Sequence, residues 1–287
     1  MKKQFVYLLL TASLLSISGT YTKAENTYKA LIVTGQNNHK WQESHPILKK
    51  ILEQTKLFTA DIIITPAQGG DMTTFNPQFS NYDLVVLDYN GDSWNSETNS
   101  AFLEFVRNGG GVVIYHAADN AFPEWEEYNK IIGLGGWGGR NEKSGPYVYY
   151  RDDSIVRDDT SKGIGGTHGP RNDYLVRTRI FDHPITKGLP ANWMHANDEL
   201  YALLRGPAEN MEILATANSA QTGAVPPGSK QQPATTKPVS PSAPTGTDPG
   251  FGTKKPFPAR QPQPARDEPV LMTIKYGKGR IFHTVLG

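Results

Sequence analysis

Four short, uninterrupted apolar runs constrain the fold of this chain more than any other feature of its sequence. They span residues 30–33, 62–65, 84–87 and 112–115. The runs are continuous, whereas a strand with one face in water alternates apolar and polar residues. Such runs are typical of parallel strands that are covered on both faces.

Two amphipathic segments lie between these runs, with apolar residues at helical spacing. The apolar positions are Ile47, Leu48, Ile51 and Leu52 in the first, and Ala101, Phe102, Phe105 and Val106 in the second. Pro46 suits the first turn of one helix, Ser96 and Glu97 suit the start of the other, and Gly109 follows its end. The alternation predicts an α/β fold, a doubly wound, mostly parallel sheet with helices on both faces.

The second half of the chain is less regular and rich in strand-like segments. We expect strands at residues 147–150, 174–181, 199–203, 211–215, 270–274 and 281–286. Residues 275–280 read as a hairpin turn between the last two. Glycine is dense between Ile131 and Pro170, which indicates loops over one end of the sheet.

The N-terminus has the layout of a secretory signal peptide. Lys2 and Lys3 precede an apolar run at residues 5–15, and small and polar residues then lead to Ala24. The alternative is a membrane anchor, but the run is shorter than the ~20 residues of a spanning helix. We therefore expect residues 1–24 to be removed and the protein to be periplasmic or secreted.

A proline-rich stretch interrupts the second half. Residues 219–266 hold 11 of the 21 prolines and almost no large aliphatic residues. Such a segment buries too little apolar surface to offset its ordering entropy, so we expect a disordered insertion within a single domain, residues 25–287. An interdomain linker is the alternative, but too little chain follows for a second domain. Because the sequence stops directly after a strand, we also expect the natural chain to continue beyond Gly287.

Charge and cysteine content exclude several functions. The formal net charge of +1 gives no reason to expect nucleic-acid binding. The chain contains no cysteine, which rules out disulfides, a thiol nucleophile and thiolate-bound metal. A glutaminase or protease relative with an altered nucleophile is therefore the least favoured class.

Polar side chains follow three of the predicted parallel strands, at the sheet edge where ligands of such folds collect. The candidates are Asn38 and His39 after the first strand, Asp88, Asn90 and Trp94 after the third, and His116 and Asp119 after the fourth. Amides and carboxylates can bind sugar hydroxyls, indole can stack on a pyranose ring, and imidazole can act as a base. Ordinary loop formation is the alternative, because Asn, Asp and Gly also favour turns.

His116 is the sharpest candidate, since it stands where a strand meets a helix, the nucleophile position of related architectures. An imidazole there can be a general acid, a general base or a metal ligand; alternatively, it is a structural histidine. A divalent ion such as Zn²⁺ could be held by His39, His116 and His283, although no spacing requires one. His283 shares a strand face with Ile281, so a buried structural role is equally open.

Two further segments carry candidate residues. Asp198 and Glu199 could supply the catalytic carboxylate together with Asp88, and Tyr201 could contact substrate. Adjacent Asp and Glu residues in an extended segment point to opposite faces, so they are not expected to work as a pair. The glycine-rich residues 133–140 match no phosphate-binding motif, and we interpret them as a flexible lid that presents Trp137 and Arg140 to substrate.

Several motifs together resemble the ThuA-like, or trehalose-utilisation, family. They are the Leu-Ile-Val-Thr-Gly of residues 31–35 with Asn38 and His39, the Gly-Gly-Gly-Val-Val-Ile-Tyr-His-Ala-Ala of residues 109–118, the His-Pro-Ile-Thr-Lys-Gly-Leu-Pro of residues 183–190, the Asp-Glu-Leu-Tyr of residues 198–201 and the Tyr-Gly-Lys-Gly-Arg-Ile-Phe-His-Thr of residues 276–284. The resemblance runs in order over nearly the whole chain apart from the signal peptide and the proline-rich stretch.

The resemblance implies a flavodoxin-like sheet of the class I glutamine amidotransferase-like superfamily, without the catalytic cysteine. It also implies a role in the uptake or breakdown of trehalose and other glycosides, and it marks His116, Asp198, Glu199, Tyr201 and His283 as motif positions. Our leading hypothesis is an exported enzyme that acts on a glycoside, such as trehalose or a keto-disaccharide, by acid–base or metal-assisted chemistry. The alternative is a non-catalytic sugar-binding protein of the same fold.

Overall fold

The computed structural model describes residues 27–221 and 265–287. The expected signal peptide and nearly all of the proline-rich stretch lie outside these ranges. The helices are α1 (Trp41–Gln54), α2 (Ser96–Arg107) and α3 (Glu126–Ile132). The strands are β1 (Tyr28–Thr34), β2 (Phe58–Ile64), β3 (Leu84–Leu87), β4 (Gly111–Tyr115), β5 (Tyr147–Arg151), β6 (Ser154–Asp158), β7 (Thr167–His168), β8 (Asn172–Thr178), β9 (Asn192–Asp198), β10 (Tyr201–Ala202), β11 (Met211–Asn218), β12 (Asp267–Tyr276) and β13 (Gly279–Thr284).

A mixed sheet of 11 strands in the described ranges forms the centre of the fold, in the order β2-β1-β3-β4-β13-β12-β11-β8-β9, with β5 paired to β12 and β6 paired to β5. The strands from β2 to β13 are mutually parallel, and those from β13 onward pair antiparallel. The predicted α/β, flavodoxin-like sheet is confirmed. Strand order reverses between β1 and β3, the point at which ligands bind in such sheets.

Helices cover both faces of the parallel strands, as the continuous apolar runs predict. Ala30 and Ile32 of β1 point to the face covered by α1, where they pack with Leu48. Leu31 and Val33 point to the opposite face and belong to the cluster that includes Phe102 of α2. Because successive strand residues alternate between faces, a strand covered on both sides needs apolar residues at every position.

The helix boundaries differ modestly from those expected. The helix α1 begins at Trp41, so Pro46 lies inside it and not at its first turn. The helix α2 is capped by Asn95, whose side chain accepts a hydrogen bond from the Thr98 amide at 2.8 Å. Within residues 27–221 and 265–287, no helix has the length and apolar character needed to cross a membrane.

The second half adds antiparallel strands, several of which the sequence did not predict. The strands β6, β7 and β9 lack a clear alternating pattern, and the strand expected at residues 199–203 is reduced to the two residues of β10. Long-range pairing defines β10, which pairs with β7 in a small separate sheet. This small sheet brings residues from the second half to the carboxyl edge of the parallel strands.

The two strands that flank the proline-rich stretch are hydrogen-bonded neighbours. β11 and β12 pair antiparallel, with Asn218 opposite Asp267. Just beyond them, the Ser219 amide donates to the Arg266 carbonyl at 2.8 Å, and the Arg266 amide donates to Ser219 Oγ at 2.9 Å. The chain therefore leaves the sheet and rejoins it at one place.

Candidate active site

The candidate site lies at the carboxyl edge of the parallel strands. The turn after β1 passes through Gly35, whose φ of +125° suits glycine. A β-carbon at Gly35 would stand 2.5 Å from Thr65 Oγ1, so the close approach of the two loops also requires glycine. This turn carries His39 over the end of the sheet, toward His116 at the end of β4; their ring centroids are 4.6 Å apart.

His39 is half-buried and faces both a phenol and a carboxylate. Its Nε2 lies 3.2 Å from the Tyr201 hydroxyl and 3.7 Å from Glu199 Oε1. Burial, together with the nearby His116, lowers the pKa of His39 despite the opposing effect of Glu199. A lowered pKa keeps the imidazole neutral near pH 7, with a lone pair available to a proton or a metal ion.

His116 is buried and held in one orientation. Its Nδ1 lies 2.6 Å from the Val285 carbonyl oxygen, and its ring stacks on Tyr201 at a centroid distance of 4.4 Å. A carbonyl accepts only, so Nδ1 carries the proton and the Nε2 lone pair is free. The backbone φ of His116 is +44°, a region that residues with side chains seldom occupy.

Glu199 joins the two histidines from the second half of the chain. Its Oε1 faces His39, and its Oε2 lies 3.0 Å from Nδ1 of His168. His168 is opposite Tyr201 in the pairing of β7 with β10, so this small sheet positions both residues. His39, His116 and Glu199 each offer a ligand atom within 4.8 Å of the others.

Asp198, the neighbour of Glu199, faces away from this cluster, as expected for adjacent residues in an extended segment. Its Oδ2 accepts from His195 at 2.9 Å, from the Gly287 amide at 2.9 Å and from the Tyr174 hydroxyl at 3.3 Å. Burial alone would raise the pKa of Asp198, but the hydrogen bonds from His195 and the Gly287 amide, together with the nearby His116 ring, outweigh burial and lower the pKa to about 2. Asp198 is therefore an anion that organises the chain beside the site.

Asp88 lies beneath the loop that carries His39. Its carboxylate is 2% exposed and accepts hydrogen bonds from Thr34, Ser44 and Asn37. Burial raises the pKa of Asp88 to about 6, although these hydrogen bonds oppose the shift. Asn37 in turn accepts the His39 amide at 2.9 Å. The predicted catalytic role of Asp88 is thus replaced by a positioning role, because the carboxylate is enclosed by its donors.

A cavity of about 480 Å³ opens beside the cluster. Its walls include Asn38, Asn90, Trp137, His168, Glu199 and Tyr201. Asn38 and Asn90 bond to each other across the β1 and β3 loops, and Trp137 meets Tyr201 edge-on at 4.7 Å. The size is that of a small-molecule site, and an indole beside amides suits a sugar ring.

A larger, open groove of about 1130 Å³ lies at the amino ends of the same strands. It is lined in part by the starts of β1, β3 and β4, and none of the residues predicted for the site reaches it. The smaller cavity is the better candidate, because Asn38 and Asn90 from two strand ends and Glu199 of the cluster line its walls.

Trp94 and Arg140 were predicted to contact substrate, but neither residue lines the cavity. Trp94 is 4% exposed and packs edge-on against Phe102 and Phe122 in the aromatic core. Arg140 is 3% exposed and donates to the backbone carbonyls of Gly136 and Ala121. The glycine-rich segment is therefore a packed loop and not a free lid, although it does present Trp137 to the cavity.

His283 and Asp119 also lie outside the cluster. Both side chains are fully buried, with His283 Nε2 3.8 Å from Asp119 Oδ2. His283 Nδ1 is occupied by the Ile132 carbonyl at 2.8 Å. Of the predicted ligand set, His39 and His116 lie together, whereas β13 places His283 in the core; Glu199 is the third residue beside the two histidines. Asp119 is likewise enclosed and does not reach the sugar-sized cavity.

Three contributors were missed by sequence reasoning. His168 lies beside Glu199, and His195 forms a hydrogen bond with Asp198. Asn37 accepts a hydrogen bond from the His39 amide. His168 stands in a loop with several glycines and no strand pattern, so no local signal marks it. A pairing across more than thirty residues brings it to Glu199, and such contacts are not visible in local periodicity.

These features define a flavodoxin-like α/β protein whose strand-end site is built from histidines and a carboxylate. The profile of the ThuA family, described as trehalose utilisation, matches residues 29–287. The chain belongs to the ThuA family.

Two solved structures are similar to this chain. A ThuA-like protein from Parabacteroides merdae is 48% identical, with a TM-score of 0.74 over 91% of this chain and 80% of the other. A ThuA-like protein from Bacteroides uniformis is 18% identical, with a TM-score of 0.53 over 94% and 85% of the two chains, and it supports the fold alone. No curated protein matches the chain significantly.

Proposed function

We propose that this protein is a carbohydrate-processing enzyme that acts on a glycoside such as trehalose or a keto-disaccharide. The observation that carries the proposal is the meeting of two imidazoles and a carboxylate, within 4.8 Å of one another, beside a cavity with an exposed indole edge and two amides. Family membership in trehalose utilisation points to the same substrate class.

The roles of the residues follow from their surroundings. Asn38, Asn90 and Trp137 would hold the sugar through its hydroxyls and its ring face. Glu199, which lines the cavity, and a neutral His39, 3.7 Å from Glu199 Oε1, are suited to accept a proton. On a keto-disaccharide, a base at this position removes a proton from the carbon between the carbonyl and the anomeric carbon. A C=C bond then forms as the bond to the glycosidic oxygen breaks, and the protonated base returns its proton to that oxygen. On an unoxidised glycoside, the same groups activate water.

Turnover by purified protein tests the proposal. Trehalose and a keto-disaccharide are supplied separately to the wild-type chain and to the variants His116→Ala and Glu199→Gln. We expect turnover of at least one sugar and a loss of about 10²-fold or more in each variant. Asp61→Asn, an exposed change on β2 away from the site, is the matched control, and circular dichroism checks folding.

The competing function is a non-catalytic sugar-binding protein. The same indole and amides would serve a binder, but a binder does not need His39, His116 and Glu199 clustered. Calorimetry that shows micromolar disaccharide binding without turnover would support this alternative and reject the enzyme. Activity unchanged in His116→Ala would remove the catalytic role of that residue.

Export is part of the proposal and has a separate test. The basic N-terminus followed by a short apolar run supports cleavage after Ala24. Expression of the full chain in a bacterial host, followed by N-terminal sequencing of the protein outside the cytoplasm, should find a mature chain that begins at Glu25. An intact Met1 on cytoplasmic protein would reject export.

A further inference from the structure

We propose that His39, His116 and Glu199 bind a divalent transition-metal ion such as Zn²⁺, with one coordination position open to the cavity. The inference rests on the proposed function, because it selects metal-assisted chemistry at the same site. Ion binding, however, is measured without substrate, so the two proposals can fail separately.

His116 is prepared as a metal ligand by its surroundings. The Val285 carbonyl holds the proton on Nδ1, which leaves the Nε2 lone pair free. Histidines that bind metals almost always donate their other ring N–H to a carbonyl or carboxylate in this way. The positive φ of His116 adds a strained backbone conformation of the kind that clusters at functional sites.

Glu199 is also prepared by a partner outside the cluster. His168 Nδ1 lies 3.0 Å from Oε2, and the same nitrogen lies 2.8 Å from the Gly169 carbonyl oxygen; Oε1 faces His39 at 3.7 Å. Oε2 therefore has a polar neighbour outside the cluster, and Oε1 is the oxygen on the cluster side. The contact of His168 with Glu199 is of the kind that orients ligating carboxylates in metalloproteins.

The ligand set and spacing suit a catalytic metal site. Two imidazoles and one carboxylate are a known three-residue set for Zn²⁺, with the fourth position left to water or substrate. Bonds of about 2.1 Å in a tetrahedral site place ligand atoms ~3.4 Å apart. In this structure the ligand atoms lie within 4.8 Å of one another. They would reach the shorter spacing if the side chains of His39 and Glu199, which are only partly buried, rotated slightly. Glu199 also lines the cavity, so the open position faces bound sugar.

With the ion bound, His39 and Glu199 would serve as its ligands and no longer as bases, and a water held at the open position would supply the base instead. A bound divalent ion polarises a carbonyl oxygen and lowers the pKa of a bound water. Both actions fit a keto-sugar or a glycoside in the cavity.

Metal binding by the tag-free, full-length protein tests the inference. The protein is treated with a chelator, dialysed and titrated with Zn²⁺ by calorimetry, and Co²⁺ spectra report the coordination. We expect one ion per chain, a raised unfolding temperature with Zn²⁺, and at least tenfold weaker binding in His116→Gln and Glu199→Gln. His183→Gln, near the opposite end of the sheet, should bind as the wild type does.

Two results would overturn the inference: wild-type protein that takes up no ion at one per chain, or cluster variants that bind as tightly as the wild type. If His116→Gln does not fold, Glu199→Gln and His39→Gln decide the matter. Stoichiometric Zn²⁺ binding without sugar turnover keeps the metal site and rejects the proposed function. Full turnover by chelated protein keeps the proposed function and rejects metal-assisted chemistry at the site.

Discussion

His116 shows how one residue can combine backbone strain with a fixed ring. The transition from β4 forces its φ to +44°, and the ring is held between the Val285 carbonyl and the face of Tyr201. A side chain held this firmly loses little entropy when it binds a ligand, which favours preorganised chemistry. The same restraint makes the residue intolerant of larger side chains.

Asp88 should affect the activity of the site although its side chain does not line the cavity. In Asp88→Asn, the new amide cannot accept from all three donors, so the Asn37 contact that holds the His39 loop is weakened. We expect a 10–100-fold loss of turnover or of metal affinity with little change in unfolding temperature. The variant is compared with Asp61→Asn, and equal behaviour of the two would contradict a positioning role.

The pH dependence of Asp88 adds a second readout. Its pKa of about 6 means that the carboxyl is an anion above pH 6 and gains a proton below it. The protonated group has lost acceptor capacity, so wild-type turnover should fall as the pH drops through 6. This acidic limb should be absent in Asp88→Asn, whose lower activity stays level across the same range.

Glu268 should make stability depend on pH. Burial raises the pKa of Glu268 to about 7, although Arg266 opposes the shift. Because the folded pKa lies above the usual 4.5, the stabilisation is complete below about pH 4.5 and is lost as the pH rises through 7. Relative to Glu268→Gln, the wild-type free energy of unfolding should fall by on the order of 3 kcal/mol between pH 4.5 and 8.

Urea unfolding at several pH values measures this difference. Glu212→Gln, an exposed change on β11, should parallel the wild type at every pH. Parallel curves for the wild type and Glu268→Gln would show that the buried carboxyl does not titrate in this range.

At the scale of elements, α2 depends on a side chain just outside it. Asn95 caps the helix through the Thr98 amide, and its Nδ2 donates to the carbonyls of Met72 and Phe75. One residue therefore joins the helix start to the loop after β2.

Asn95→Ala should cost about 1–2 kcal/mol of unfolding free energy, since both the cap and the loop contacts are lost. Chemical denaturation measures the loss. Ser100→Ala, on the exposed side of the same helix, should stay within about 0.5 kcal/mol of the wild type. A loss for Asn95→Ala as small as that of the control would show that neither contact contributes.

The strands β7 and β10 are only two residues long, but their pairing positions several residues of the candidate site. Their pairing sets Tyr201 opposite His168, and Glu199 lies two residues before Tyr201. A strand of two residues is too short to show the alternation of apolar and polar residues from which strands are predicted. Their placement depends on the packing of the loops around them.

For the whole molecule, the proline-rich stretch should be dispensable for folding. Ser219 and Arg266 are hydrogen-bonded neighbours, so a short turn can span the gap. Replacing residues 222–264 with a short Gly/Ser turn should leave the unfolding temperature within a few degrees of the wild type. A chain with the same residues shuffled is the control. Insoluble or strongly destabilised protein would indicate that the stretch contributes to the fold.

The carboxyl edge of the sheet could be predicted from the sequence. Continuous apolar runs predicted the parallel strands. Asn38, His39 and His116 follow those runs in the sequence and could therefore be assigned to the strand ends. This worked because hydrophobic periodicity and strand termini are local properties of the chain.

Which side chains meet at that edge was decided only by the tertiary structure. Glu199 and His168 arrive through pairing of β7 with β10, across more than thirty residues. Trp94, Arg140 and His283 turn into the core, because the direction of a side chain depends on what packs around it. Long-range contacts and burial follow from the free energy of the whole chain, so no short stretch of sequence contains them.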